Sequence, residues 1–230
     1  MKNSKLTFAI ILLYLLSASL FAQRQKVDVS SFEGIALRTS ATVYVTQGNS
    51  LSVELEGDVD DLEKIKVIVE GNKLQIKNKK DNWNWGSNSD VKVYITVSTL
   101  NYLSVSGSGN IIGNRTFKSD ELKVAVSGSG DIEFDVDTDD LIVKISGSGS
   151  VELAGNSKNV DVGISGSGKL DAEDMEANTY DISISGSGKC RVNVIEEIES
   201  HISGSGSVYY KGDPKRVNNN SSGSGKIRKI

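Results

Sequence analysis

At 230 residues the chain can bury one sizeable core or two small ones, and 37% apolar against 24% charged residues is ordinary globular composition, which excludes a disordered or fibrous chain. Its formal net charge of −4 argues against nucleic acid or an anionic membrane surface as the main partner. The single cysteine, Cys190, excludes an intramolecular disulfide, so stability has to come from packing and hydrogen bonds.

The chain begins MKNSKLTFAIILLYLLSASLFAQ. Lys2 and Lys5 precede an apolar stretch over 6–16 and then a small-residue region, the layout of a secretory signal peptide, so residues 1–22 are set apart from the fold. The apolar stretch is shorter than the ~20 residues a spanning helix needs, which leaves an uncleaved anchor as the lesser alternative. Cleavage after Ala22 would put Leu20 where a small residue is preferred, and Ser17-Ala18-Ser19 supplies a fallback site. No cysteine follows either point, so no lipid-attachment signal is expected. Without Lys2 and Lys5, the 26 Lys and Arg become 24 against 30 Asp and Glu, a net of −6. Residues 23–230 are expected to form one β-solenoid domain, with an entry segment over 27–100 and repeat coils over 101–230.

The entry segment is strand-like but irregular. ATVYVTQG (41–48), LSVELEG (51–57), KVIVEG (66–71), KLQIKN (73–78) and VKVYITVS (91–98) alternate apolar and polar residues. Gly71-Asn72 between two such runs predicts a hairpin about 70–73, and Asp60-Asp61-Leu62-Glu63-Lys64-Ile65 predicts a short helical turn. Both tryptophans of the chain lie in KKDNWNWGSNSD (79–90), between two strands. Trp83 and Trp85 can form a platform that contacts a sugar or partner ligand, or they can fold back over an open end of the solenoid.

From residue 106 onward one tetrapeptide recurs. SGSG begins at Ser106, Ser127, Ser146, Ser165, Ser185, Ser203 and Ser222, and these motifs hold fourteen of the 23 glycines. The residues before each motif alternate: Leu103 and Val105, Val124 and Val126, Val143 and Ile145, Val162 and Ile164, Ile182 and Ile184. After it, Ile111, Ile132, Val151, Leu170, Cys190, Val208 and Ile227 hold one column. Strand, tight corner, strand and a polar connector such as AGNSKN (154–159) then make one coil of about 19 residues, which fits a parallel β-helix. The structural turn residues are the glycine pairs Gly107 and Gly109, Gly128 and Gly130, Gly147 and Gly149, Gly166 and Gly168, Gly186 and Gly188, Gly204 and Gly206, and Gly223 and Gly225. A phosphate loop would need a helix after the glycines, whereas a strand follows each time.

Chemistry is sparse. His201 stands in the column of Ser104, Ala125, Lys144, Gly163, Ser183 and Asn220, which the alternation points outward, and no carboxylate is expected beside it. Cys190 occupies an inward column and reads as a small core residue. DVDTDD (135–140) resembles the start of an EF-hand loop, but Asp140 stands where glycine is required and Ser146 where the bidentate Glu belongs. No HExxH or GxSxG motif is present, so no catalytic residue, metal or cofactor is expected. In the last coil, Asn218, Asn219, Asn220 and Ser221 replace the apolar strand, as expected of a capping coil.

FEGIALRTSATVYVTQG, GDVDDLEKIKVIVEGNKLQIK and VYITVSTLNYLSVSGSGNI, followed by the SGSG coils, resemble the bacterial putative auto-transporter adhesin, head GIN domain family, from Phe32 to the carboxyl end. The resemblance implies an all-β fold, a single-stranded right-handed parallel β-helix, exported from bacteria of the Bacteroidota type, with a role in cell adhesion and no catalytic residues to carry over. A carboxyl-terminal membrane barrel is not expected, because the chain ends in KIRKI without amphipathic strands and aromatic girdles. The expectation is therefore an exported, non-enzymatic binding surface in the periplasm, at the cell surface or outside the cell. Its partner would be a cell-surface polysaccharide or protein. Self-assembly into a structural envelope polymer is the first alternative, and a polysaccharide-acting β-helix enzyme the second.

Overall fold

The computed structural model describes residues 23–79 and 90–230. The repeat region is a β-solenoid of about seven turns, with coils about 19 residues apart. β8 (Tyr102–Gly107) and β9 (Asn110–Gly113) flank the first SGSG corner. β10 (Phe117–Gly128), β11 (Asp131–Gly147), β12 (Ser150–Gly166), β13 (Lys169–Gly186) and β14 (Lys189–Gly204) each run from one corner's neighbourhood to the next. The rod ends in β15 (Ser207–Lys211), β16 (Arg216–Gly223) and β17 (Lys226–Lys229).

Every neighbouring pair in this series is parallel and keeps motif over motif, with Ser146 opposite Ser127 and Ser165, and Gly147 opposite Gly128 and Gly166. The inward columns form the core. Val105, Val126, Ile145, Ile164, Ile184 and Ile202 are all buried, and Cys190 sits fully buried with Leu170 and Val208 opposite it. Burial pushes the Cys190 thiol pKa up, and the buried Tyr180 hydroxyl, likewise pushed up by burial, donates to the Met175 carbonyl at 3.2 Å.

The two glycines of a corner answer to different constraints. Gly147 has φ +114°, where an L side chain is strained. Gly168 has no such φ, but a Cβ on it would lie 2.4 Å from Ile145 Cγ2 of the preceding coil. The corner itself is held by the backbone, with the Ser148 amide donating to the Gly128 carbonyl at 2.9 Å and the Ser167 amide to Gly147 at 2.9 Å.

The connectors differ from the sequence expectation of polar links outside the strands. In β11 and β12 the ladder continues through them, pairing Val136 with Gly155, Asp137 with Asn156 and Thr138 with Ser157. A stacked coil offers backbone partners to most of this stretch, so it runs as strand rather than as a free loop. Where the inward alternation slips, a hydroxyl fills in: Thr138 donates to the Asp120 carbonyl at 3.0 Å, and Ser157 to the Asn159 carbonyl at 3.0 Å.

The entry segment joins the same sheet. β2 (Gly34–Arg38) and β3 (Thr42–Gln47) lie on β8 and β9, so that Arg38-Thr39-Ser40-Ala41 turns where SGSG turns later. β6 (Lys73–Asn78) and β7 (Lys92–Val97) then stack in parallel on the opposite edges of β2 and β3. The coil formed by β2 and β3 is thus held between two coils that both come later in the chain. Antiparallel strands close this end: β5 (Ile65–Glu70) on β6, β4 (Ser52–Gly57) on β7, and β1 (Gln23–Lys26) on β4. The hairpin expected about 70–73 forms, with Gly71 at φ +57° and Asn72 at φ +62°, the conformation of a type I′ turn. α1 (Val59–Leu62) is the short helical turn, with Leu62 buried beneath it. Among the described residues, no helix is long and apolar enough to cross a membrane.

Candidate functional site

Two columns flank the buried Val/Ile column on the strands that enter the corners. One is the first serine of each motif; the other is the column of Lys144, Ser183 and His201, which starts at Ser104, a serine that is buried rather than outward as the alternation predicted. Because the coils stack in register, these columns become two parallel rims, and between them runs a groove of about 780 Å³ that crosses all seven coils from Tyr102 to Ser222. Between the rims it is lined by Val105, Val126, Ile145, Ile164, Ile184 and Ile202. Among the described residues lining it there is no Asp or Glu, in a chain that carries 30 of them.

Lys144 and His201 are the titratable groups of the groove rim besides Tyr102. Lys144 lies down along the space left by Gly163, whose added Cβ would meet Lys144 Cδ at 2.9 Å, and its ammonium reaches Asp161 at 2.6 Å. His201 is exposed, and Glu199 stands 3.8 Å from its Nε2, contrary to the expectation that no carboxylate would lie beside it. The two residues are two apart on one strand, so the period of two that points His201 outward points Glu199 the same way. Tyr102 closes one end of the groove and carries the Lys73 ammonium 3.5 Å from its ring centroid.

The other sequence candidates fall elsewhere. Trp83 and Trp85 lie outside the described residues. DVDTDD belongs to β11, where its acids meet cations and amides of adjoining coils: Asp139 pairs with Lys158 at 2.8 Å, and Asp140 accepts from Asn159 at 2.9 Å. Among the described residues, no group of three or more His, Cys, Asp or Glu is placed to hold a metal ion. Sequence reasoning placed the outward column but did not see the groove. The signal available was the absence of acids from two columns that recur at a fixed offset from SGSG.

A family model described as "Putative auto-transporter adhesin, head GIN domain" matches residues 31–214. The fold is shared with the crystal structure of a putative adhesin from Bacteroides fragilis, 26% identical, with a TM-score of 0.83 over 92% of this chain and 98% of that chain. A putative lipid binding protein from Parabacteroides distasonis superposes with a TM-score of 0.73 at 24% identity, covering 92% of this chain and 98% of that one. A putative adhesin from Parabacteroides merdae gives 0.71 at 21% identity, covering 92% and 97%. Comparison with curated proteins returns no match.

Proposed function

Because this chain belongs to the putative auto-transporter adhesin, head GIN domain family, we propose that it is an exported, non-enzymatic adhesin whose solenoid presents a binding surface at the bacterial cell envelope. The observation that carries the proposal is the groove, which crosses seven coils without an acidic lining residue among those described. Its walls belong to one continuous parallel ladder, so a ligand meets a preformed surface and little conformational freedom is lost on binding. The names of the related proteins support a role in adhesion rather than catalysis.

The leader-like residues 1–22 support export to the periplasm, the cell surface or the exterior. Cell-surface polysaccharide or protein is the proposed partner class. Trp83 and Trp85 belong to the proposal as ligand-contact residues, on the strength of their chemistry. Binding of the full chain to intact cells and to a glycan array tests these points together. Ser165→Trp fills the middle of the groove from an exposed position and is expected to weaken binding at least about tenfold, an effect the size of one lost anchor. Unchanged binding would remove the groove from the site, and unchanged binding in Trp83→Ala/Trp85→Ala would remove that segment.

The edge of β16 and β17 favours a second reading as a self-assembling envelope protein, since among the described residues each pairs on one side alone. Sedimentation over a range of concentrations separates the two: a strict monomer that binds cells is an adhesin, and growth with concentration without binding is an assembly subunit.

A further inference from the structure

On the strands that leave the corners, the outward residues of the last coils form a compact array. The register places Lys169, Lys189, Ser207 and Lys226 in one column, and Arg191, Tyr209 and Arg228 in the column beside it. Tyr209 therefore lies at the centre, with Arg191 one coil before it and Arg228 one coil after. Its ring is half-buried and carries the Lys189 ammonium 5.4 Å from its centroid and the Arg191 guanidinium carbon at 5.9 Å. Strands stack about 4.8 Å apart, so Lys189 and Lys226 are about 10 Å apart at the backbone.

The charge of this face is only partly met from within. Arg191 pairs with Glu173 at 2.8 Å, and Lys211 meets the same carboxylate at 2.9 Å. Asp171 precedes Arg191 in its column and marks where the patch stops. Among the described residues, Lys169, Lys189, Lys226 and Arg228 have no carboxylate within ion-pair distance. A chain of net charge −4 thus gathers unpaired cations around an aromatic ring at one end of its rod.

We infer that this patch, centred on Tyr209 and bounded by Lys189, Lys226 and Arg228, is a binding site for an acidic polysaccharide bearing carboxylates on its sugar rings. A uronate ring offers a C–H face to the tyrosine and a carboxylate that Arg228 grips in two parallel hydrogen bonds. A linear polymer repeats that charge along its length, so it engages cations from successive coils at once, and the linked contacts add in avidity. An isolated anion would gain one contact and a neutral glycan only the ring. The inference rests on the adhesin reading and narrows its partner to one chemistry, at a face distinct from the groove.

The test uses the full chain and immobilised polygalacturonate, with the fully methyl-esterified polymer as the neutral control and dextran sulfate as a polyanion of different chemistry. Polygalacturonate is expected to bind, to weaken as salt rises, and to exceed both controls. Lys226→Ala/Arg228→Ala should weaken it at least about tenfold, and Tyr209→Ala likewise, whereas Tyr209→Phe keeps the ring and keeps the binding. All these side chains lie on the surface of the rod, and unchanged thermal melting checks that the variants fold. Equal binding of the free and esterified polymers would overturn the assignment, as would dextran sulfate binding as tightly with Tyr209→Ala without effect. Intact-cell binding by a chain that ignores polygalacturonate overturns the patch and leaves the adhesin reading standing; no binding to cells or to any polymer removes both.

Discussion

On the corner side of the rod, each coil from β8 to β16 repeats its neighbour residue for residue, Ser over Ser and Gly over Gly. On the connector side, residues 173–175 of β13 have no opposite number on β14, and β14 in turn takes one residue more than β13 between Val194 and Glu197. The 18- to 21-residue spread in motif spacing is absorbed largely here. At the corners, backbone meets backbone: a Cβ on Gly149 would come within 2.3 Å of the Gly130 carbonyl oxygen, so neither length nor side chain has room to change. Where β13 meets β14, the connector instead makes contact through polar side chains that reach across the bulge. Glu173 does so, standing on the bulge and holding Lys211 and Arg191 of the two following coils.

The contrast is sharpest under insertion. One alanine placed between Ser185 and Gly186 shifts every inward residue of the following strand outward, and is expected to abolish the cooperative thermal transition. The same alanine between Glu173 and Asp174 enlarges an existing bulge and should lower Tm by no more than about 4 °C, the size of a loss near 1 kcal/mol. Equal effects at the two sites would dissolve the distinction. Next in size, Gly168→Ala drives a methyl into Ile145 and should cost about 1–3 kcal/mol in denaturant unfolding. Adding Ile145→Val retains the clashing Cγ2 and should give no relief, whereas Ile145→Ala removes it and should make the double variant more stable than additivity allows.

The smallest effect belongs to Glu173→Gln, a change in Tm of no more than about 2–4 °C at neutral pH. The hydrogen bond from Lys211, with the charges of Lys211 and Arg191, holds the Glu173 carboxyl below its ordinary pKa in the fold. Its contribution is therefore complete above the ordinary carboxylate pKa and is lost as pH falls through the depressed folded value. Melting curves of wild type and variant should converge over that acidic interval; a difference that grew as pH fell would contradict the assigned role.

Much of the coil was legible because burial at every second residue leaves a plain trace: Leu103, Val124, Val143, Val162 and Ile182 could be placed inward from letters alone, as could Cys190. Gly71-Asn72 was legible as a hairpin because few residue pairs tolerate two positive φ angles. The placing of β2 and β3 between β6–β7 and β8–β9 was not, since alternation says which face a strand buries and nothing about which of several similar strands lies beside it. Nor was the charge array around Tyr209, whose members come from successive coils 18 or 19 residues apart along the chain and become neighbours through register.

The sequence by itself determined the period, the inward columns and the places where only glycine serves, because these follow from backbone sterics and the burial of apolar side chains within one coil. The tertiary structure decided the threading of the entry strands, the continuous ladder through the connectors, the groove and the cationic patch. Each of these depends on what one coil sets against the next, and that pairing is a property of the stack rather than of any one stretch of chain.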